Sequence, residues 1–167
     1  MSTVEEHKSY GPRHIAFAVL TASDSRTEDE DESGSRIVAM ATEAGHRVVG
    51  QRLVPDEVSA IRSAVEDVLK AGADVVVLNG GSGFAPRDVS VEAVIPLLGR
   101  VIEGFGELFR SLSFQQVGAA AMLSQAIAGV VGQSVVFVLP GSPKAVELAM
   151  AELILPEAGH LLGQIRR

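Results

Sequence analysis

The sequence predicts a single α/β domain in which helices cover both faces of a mostly parallel sheet, and three observations carry this. Apolar runs alternate along the chain with stretches of helical periodicity, the pattern of successive βαβ units. Hydrophobic residues make up 47% of the chain but aromatics only 4%. The core is therefore aliphatic, as expected for valine-rich strands buried on both faces. The length of 167 residues suits one domain with a full core.

Each element follows in order. "HIAFAVLT", His14 to Thr21, reads as a buried first strand. The loop "ASDSRTEDEDESG" carries five consecutive acids, Glu28 to Glu32. Ser33 or Ser35 then starts a helix to about Ala44, with Gly45 as its stop. "HRVVGQRLVP" is a second strand ended by Pro55, and Asp56 is placed to cap the next helix. There Ile61, Val65, Val68 and Leu69 recur at helical spacing until Gly72. "DVVVLN" is a third strand, followed by the loop "GGSGFAPRD" and a short helix from about Ser90 to Leu98. "RVIEGF" is a brief strand or turn and "GELFRSLSF" is helical. "VGAAAMLSQAIAGVVG" stays open between a tight helix and a strand. "SVVFVL" is a strand, Pro140 and Gly141 turn, Ser142 caps, and Pro143 takes the first helical position, where its missing N–H costs nothing. The closing helix is expected to bend near Pro156. Residues 1–12 read as a flexible tail before a domain over 13–167.

Composition excludes several classes. Fourteen basic against 21 acidic residues leave a net charge of −7, the wrong sign for duplex nucleic acid. The absence of cysteine removes disulfides, thiolate catalysis and cysteine-ligated metal. No apolar run reaches the ~18 residues of a membrane span, and "MSTVEEHKSYG" carries charge where a signal peptide is expected to have an apolar core. A cytoplasmic protein, without membrane or nucleic-acid partners, is the expectation.

The chemistry concentrates where strands end in glycine. Ligands of parallel α/β sheets sit beyond the carboxyl ends of the strands, and Gly80, Gly81, Ser82 and Gly83 follow the third strand there. Glycines admit positive φ and close approach. Successive N–H groups in such a turn form a nest for phosphate or carboxylate. The alternative is a tight turn without a ligand. Phe84 to Arg87 depart from a Walker loop, Pro86 stands where a dinucleotide fingerprint needs glycine, and Phe84 stands where a nucleophile elbow around Ser82 needs one. In "LPGSPKAV" Lys144 lies in a first helical turn, where its charge opposes the helix dipole unless an anion compensates. The alternative is a solvated surface lysine.

Asp56 and Asp88 both precede predicted helices, so each is either an N-cap or a magnesium ligand. A carboxylate beside a phosphate calls for a bridging cation, and Mg²⁺ takes one or two carboxylates plus phosphate oxygens. The acid run is read as a solvated loop favouring the following helix N-terminus rather than as a metal site. His7, His14, His46 and His160 lack zinc-ligand spacing.

Six motifs in order, "TASDSR", "LVPDE", "NGGSGFAPRDVSVEAV", "GFGELFRSLSF", "MLSQAIAGV" and "LPGSPKAV", resemble the MoaB/MogA family of molybdenum-cofactor biosynthesis proteins from His14 to about Leu162. "FGELFRSLSF" is similar to the MoaB branch. The resemblance implies a three-layer α/β/α molybdopterin-binding fold. It implies adenylylation of molybdopterin by Mg-ATP with release of pyrophosphate, or, as the alternative, a non-catalytic pterin-binding or assembly protein. It places catalysis and Mg²⁺ at Asp56 and Asp88, and nucleotide phosphate at Gly80, Gly81, Ser82 and Gly83 with Arg87. It lines the rest of the pocket with Ser23, Asp24, Ser113, Ser124, Pro140, Gly141, Ser142 and Lys144. It further implies a homotrimer or homohexamer and possible contacts with other proteins of the pathway. The Ala-rich stretch Val117 to Val131 fits close packing between subunits or an internal core segment. The chain departs from the family pattern at Ser82 for threonine, at Asn79 for a small hydroxyl residue, and at Gln125 for arginine. Loss of a guanidinium at a phosphate site is not conservative.

Overall fold

The computed structural model of the protein describes residues 11–167. Strands β1 (Ala16–Ala22), β2 (Arg47–Val54), β3 (Val75–Asn79), β4 (Arg100–Val101), β5 (Ile127–Val131) and β6 (Ser134–Leu139) form one six-stranded sheet in the order β2-β1-β3-β6-β5-β4. The first four in that order pair parallel; β5 and β4 join antiparallel.

The strands show period-2 alternation between two cores. Phe17, Val19, Val75, Val77, Val135, Phe137 and Leu139 face one side. Ala18, Leu20, Val76, Leu78, Val136 and Val138 face the other. Every residue of β1 and β3 is buried, and apart from Thr21 and Asn79 both strands are apolar throughout. Helices α1 (Glu32–Glu43), α4 (Glu103–Val117), α5 (Pro143–Ala149) and α6 (Leu155–Ile165) cover the first side through Ile37, Phe105, Phe109, Val146 and Leu162. Helices α2 (Val58–Lys70) and α3 (Ser90–Val94) cover the second through Ile61, Val65, Val68, Ala93 and Val94. The fold is a three-layer α/β/α domain.

Several local expectations change. Helix α1 starts at Glu32 with Asp31 as N-cap, not at Ser33 or Ser35. Asp31 is not solvated: it is 4% exposed, accepts from Gly34 N at 2.9 Å and from Thr21 Oγ1 at 2.7 Å. Thr21 in turn accepts from Asn79 Nδ2 at 2.9 Å. The acid run therefore supplies a buried tie between β1, β3 and α1. The ambiguous Ala-rich segment splits into a 3₁₀ turn, Gly118–Leu123, and β5. The closing helix is interrupted one turn before Pro156 by a π segment, Met150–Ile154. Proline offers no N–H to the preceding turn, and the wider coil absorbs that mismatch.

The tail expectation for residues 1–10 lies outside the described residues. Gly11 and Pro12, assigned to that tail, lie against α6: a Cβ on Gly11 would sit 2.0 Å from Gly159 O. Among the described residues, no helix is long and apolar enough to cross a membrane.

Candidate functional site

The sheet order creates the site. From β1 the chain passes to β2 on one side, then crosses back to β3 on the other, so the connections leaving β1 and β3 diverge. A crevice opens at such a switch point beyond the carboxyl ends of the strands. Here it is an open cleft of about 1540 Å³. Three strand ends meet at it with room only for backbone. A Cβ on Gly80 would lie 2.4 Å from Ala22 O, and one on Gly141 would lie 2.9 Å from Gly80 Cα. Gly80 and Gly81 hold φ of +87° and +59°, conformations that side chains resist.

The glycine loop is polarised. Its carbonyls are all engaged: Gly80 O accepts from Ser90 Oγ at 2.7 Å and Gly81 O from Ser90 N at 2.9 Å. Ser82 O and Gly83 O both accept from Gln125 Nε2. Its amides are not: Gly80 N donates to Leu139 O at 3.1 Å, while the N–H groups of Gly81, Ser82 and Gly83 find no acceptor among the described residues. Unpaired donors on three successive residues are what an anion nest requires.

The carboxylates depart from the N-cap reading. Helix α2 is preceded by Glu57 and α3 by Val89, neither with a side-chain cap. Asp56 instead exchanges backbone contacts with Asp24: Asp24 N donates to Asp56 Oδ2 at 3.1 Å and Asp56 N to Asp24 Oδ1 at 3.0 Å. Asp88 Oδ2 accepts from Ala85 N at 2.9 Å, closing the turn after the glycines. Both acids press on the loop. A Cβ on Gly81 would meet Asp56 Oδ1 at 2.7 Å, and one on Gly83 would meet Asp88 Oδ2 at 2.6 Å. Asp56 Oδ1 is buried without a hydrogen-bond partner. Burial, then the nearby charges of Asp24 and Asp88, push the Asp56 carboxyl above its ordinary range, against the Asp24 amide and Arg87. Arg87 donates through Nε to Asp24 Oδ2 at 2.9 Å and also through Nη2. That guanidinium, with the Asp56 amide, holds the Asp24 carboxyl below its usual range.

No group of three or more His, Asp or Glu among the described residues is arranged to hold a metal. Asp56, an unpartnered oxygen in a field that disfavours its charge, suits a cation completed by phosphate oxygens, as Mg²⁺ requires.

Ser23, Gly80, Gly81, Ser82, Gly83, Asp88, Ser113, Ser124, Pro140, Gly141, Ser142 and Lys144 all line the cleft. Asp24, Asp56 and Arg87 are not among its lining residues; Asp56 lies instead against Gly81, and Asp24 links it to Arg87. Ser142 is the α5 N-cap, accepting from Ala145 N at 3.2 Å. Arg26 was not singled out by sequence. It lines the cleft, its Nη2 donates to Gly141 O at 3.3 Å, and it meets no carboxylate among the described residues. Its place in "TASDSR", beside Ser23 and Asp24, was the available signal. Ser25, in the same motif, and Gln116, which nothing in the sequence marked, also line the cleft.

The family described as a probable molybdopterin binding domain matches residues 18–160. The chain belongs to this family. The molybdenum cofactor biosynthesis protein B of Bacillus cereus is 46% identical over 167 residues, 99% of each chain. That of Bacillus subtilis is 43% identical over 99% of this chain and 98% of its own. Among solved structures, the tungsten cofactor synthesizing protein MoaB from Pyrococcus furiosus superposes with a TM-score of 0.86 at 37% identity, covering 93% of this chain and 99% of its own. A MogA structure superposes at 0.80 with 27% identity, covering 90% and 99%. The molybdopterin-binding domain thus spans all six strands from within β1.

Proposed function

We propose that the cleft binds molybdopterin and that the chain transfers an adenylyl group from Mg-ATP to the pterin phosphate. One observation carries the reading: three unpaired amides lie on a four-residue loop against which two carboxylates, of Asp56 and Asp88, are pressed. Amides alone would suit any anion. Carboxylates pressed against them suit only an anion that arrives with a cation, as a nucleotide phosphate chain does.

In this reading a pterin phosphate oxygen attacks the α-phosphorus of ATP. The bond from that phosphorus to the bridging oxygen breaks, and the electron pair leaves with pyrophosphate. The nucleophile is already anionic, so no general base is needed, and positioning with charge neutralisation supplies the rate. The amides of Gly81, Ser82 and Gly83 hold the phosphates. Lys144 and Arg26 neutralise charge along the cleft, and Ser113, Ser124 and Ser142 line the pterin side. Asp56 and Asp88 would hold Mg²⁺, which supplies Lewis-acid stabilisation of the phosphate oxygens when bound. Arg87 braces Asp24 through Nε and Nη2, and its remaining N–H groups stay available to phosphate.

A second reading, a non-catalytic pterin-binding protein, is favoured by Gln125, which puts an uncharged amide on the loop carbonyls. Incubation with molybdopterin, Mg²⁺ and ATP separates the two. Stoichiometric pyrophosphate release supports transfer; tight pterin binding without release supports the second reading and sinks the first.

A further inference from the structure

We infer that Gln125 is a positioning residue that sets the polarity of the glycine loop and thereby its affinity for phosphate. The inference rests on the loop's proposed role as the phosphate site. Gln125 sits in the connection between the 3₁₀ turn and β5, far from the loop in sequence. Its carboxamide nitrogen donates to Ser82 O at 3.3 Å and also to Gly83 O. Only the NH₂ end of the side chain can serve two carbonyls, so the orientation of the amide follows from its partners.

Gln125 is itself held. Arg110 Nη1 donates to Ser124 O at 3.4 Å and to Ala126 O at 3.2 Å, pinning the backbone on both sides of Gln125. Ser124 Oγ accepts from Ala126 N at 3.3 Å within the same bend. Arg110 lies in α4, which is anchored in the core by Phe105 and Phe109. A chain of donors thus runs from α4 through the Gln125 bend to the loop carbonyls.

Peptide groups are rigid planes, so fixing a carbonyl fixes the N–H of the next residue. Holding Ser82 O fixes the direction of Gly83 N–H, and holding Gly83 O fixes Phe84 N–H. Ser90 does the same for Gly81 and Ser82 through Gly80 O and Gly81 O. Without Gln125 the second half of the loop would be free to rotate about glycine, the least restrained residue, and could present oxygen instead of N–H to an incoming phosphate. An uncharged side chain does this without adding charge to the site. Orientation, not attraction, is its contribution.

The test uses the full chain with Q125M, which keeps the length and removes both donors, and Q125R, which keeps parallel N–H donors. Mg-pyrophosphate binding by calorimetry, backbone amide order parameters at Ser82 to Phe84 from NMR relaxation, and pterin affinity are read together. Two hydrogen bonds of ordinary net strength predict about tenfold weaker pyrophosphate binding in Q125M, with lower order parameters at the loop and pterin affinity within twofold of wild type. Q125R is expected to restore the wild-type order parameters. If Q125M folds poorly, Q125N, one methylene too short to reach, carries the same comparison. A wild type that binds pyrophosphate beside a Q125M that binds it equally, with unchanged order parameters, overturns the role of Gln125 alone. A wild type that binds no pyrophosphate overturns the phosphate reading itself, and the order parameters then still report whether Gln125 restrains the loop.

Discussion

Gly81→Ala is the sharpest perturbation of the loop, and its cost can be worked from contacts. The backbone at Gly81 has φ +59°, a left-handed conformation costing an L-residue about 1–2 kcal/mol. The added methyl would also lie 2.6 Å from Ser90 Oγ and 2.7 Å from Asp56 Oδ1, too close for either to stay. Ser90 is fully buried and its hydroxyl holds Gly80 O at 2.7 Å, so displacing it forfeits about 0.5–1.5 kcal/mol more. The sum is about 1.5–3.5 kcal/mol, or a melting temperature lower by about 3–14 °C in a chain of this size. Gly132→Ala is the control. It has the same φ of +59° in the β5–β6 turn, but nothing lies within 4 Å of its added Cβ. It should lose only the backbone part, about 1–2 kcal/mol. Urea denaturation of both variants measures the difference. Equal losses would show that Asp56 and Ser90 do not crowd Gly81, and the close association of carboxylate and loop would fail.

Other expectations follow from the same geometry. Asp56→Asn should slow adenylylation by at least about 100-fold if Asp56 holds Mg²⁺, with little loss of stability. The native Asp56 carboxyl binds its proton more tightly than the unfolded one. Its contribution to stability is therefore full below the unfolded value near 3.8 and lost as pH rises through the raised native value. Melting of wild type and variant across pH 4 to 8 should converge in acid and favour the variant at neutral pH. His46 runs the opposite way: burial against Phe17, then the charge of His14, lowers its affinity for a proton. Stability should fall as pH drops below about 6.5, and His46→Phe should lessen that fall. Asp31→Ala should cost about 2–4 kcal/mol in urea denaturation, because it removes a cap and leaves Thr21 Oγ1 without its acceptor.

The layered fold was legible because buried parallel strands leave an unmistakable mark. Each valine run became a strand, and Gly45 and Gly72 ended helices where positive φ was needed. The helix starts were not legible to the same degree. Asp56 and Asp88 looked like caps because a short acid before an apolar periodic run is the usual signal, yet both turn toward the loop: Asp88 through its own turn, Asp56 because the sheet order brings the ends of β2 and β3 to the same edge. Asp31 looked solvated because it sits among acids; its partner Thr21, and Asn79 which donates to Thr21, come from the buried carboxyl ends of β1 and β3. The glycine loop itself was legible as bare backbone, but not its polarity. That depends on Gln125 and Ser90 engaging its carbonyls, contacts spanning about forty residues in one case and ten in the other. Gln125, which the family resemblance marks as a lost charge, is in the folded chain a donor that holds the loop.

The central claim is that the free amides of Gly81, Ser82 and Gly83 grip a phosphate accompanied by Mg²⁺. Titrating isotope-labelled protein with Mg-ATP while following backbone amide resonances addresses it directly. The account predicts saturable shifts led by those three residues, much weakened when ATP is added without magnesium. Saturable binding that leaves the three amides unmoved would contradict it.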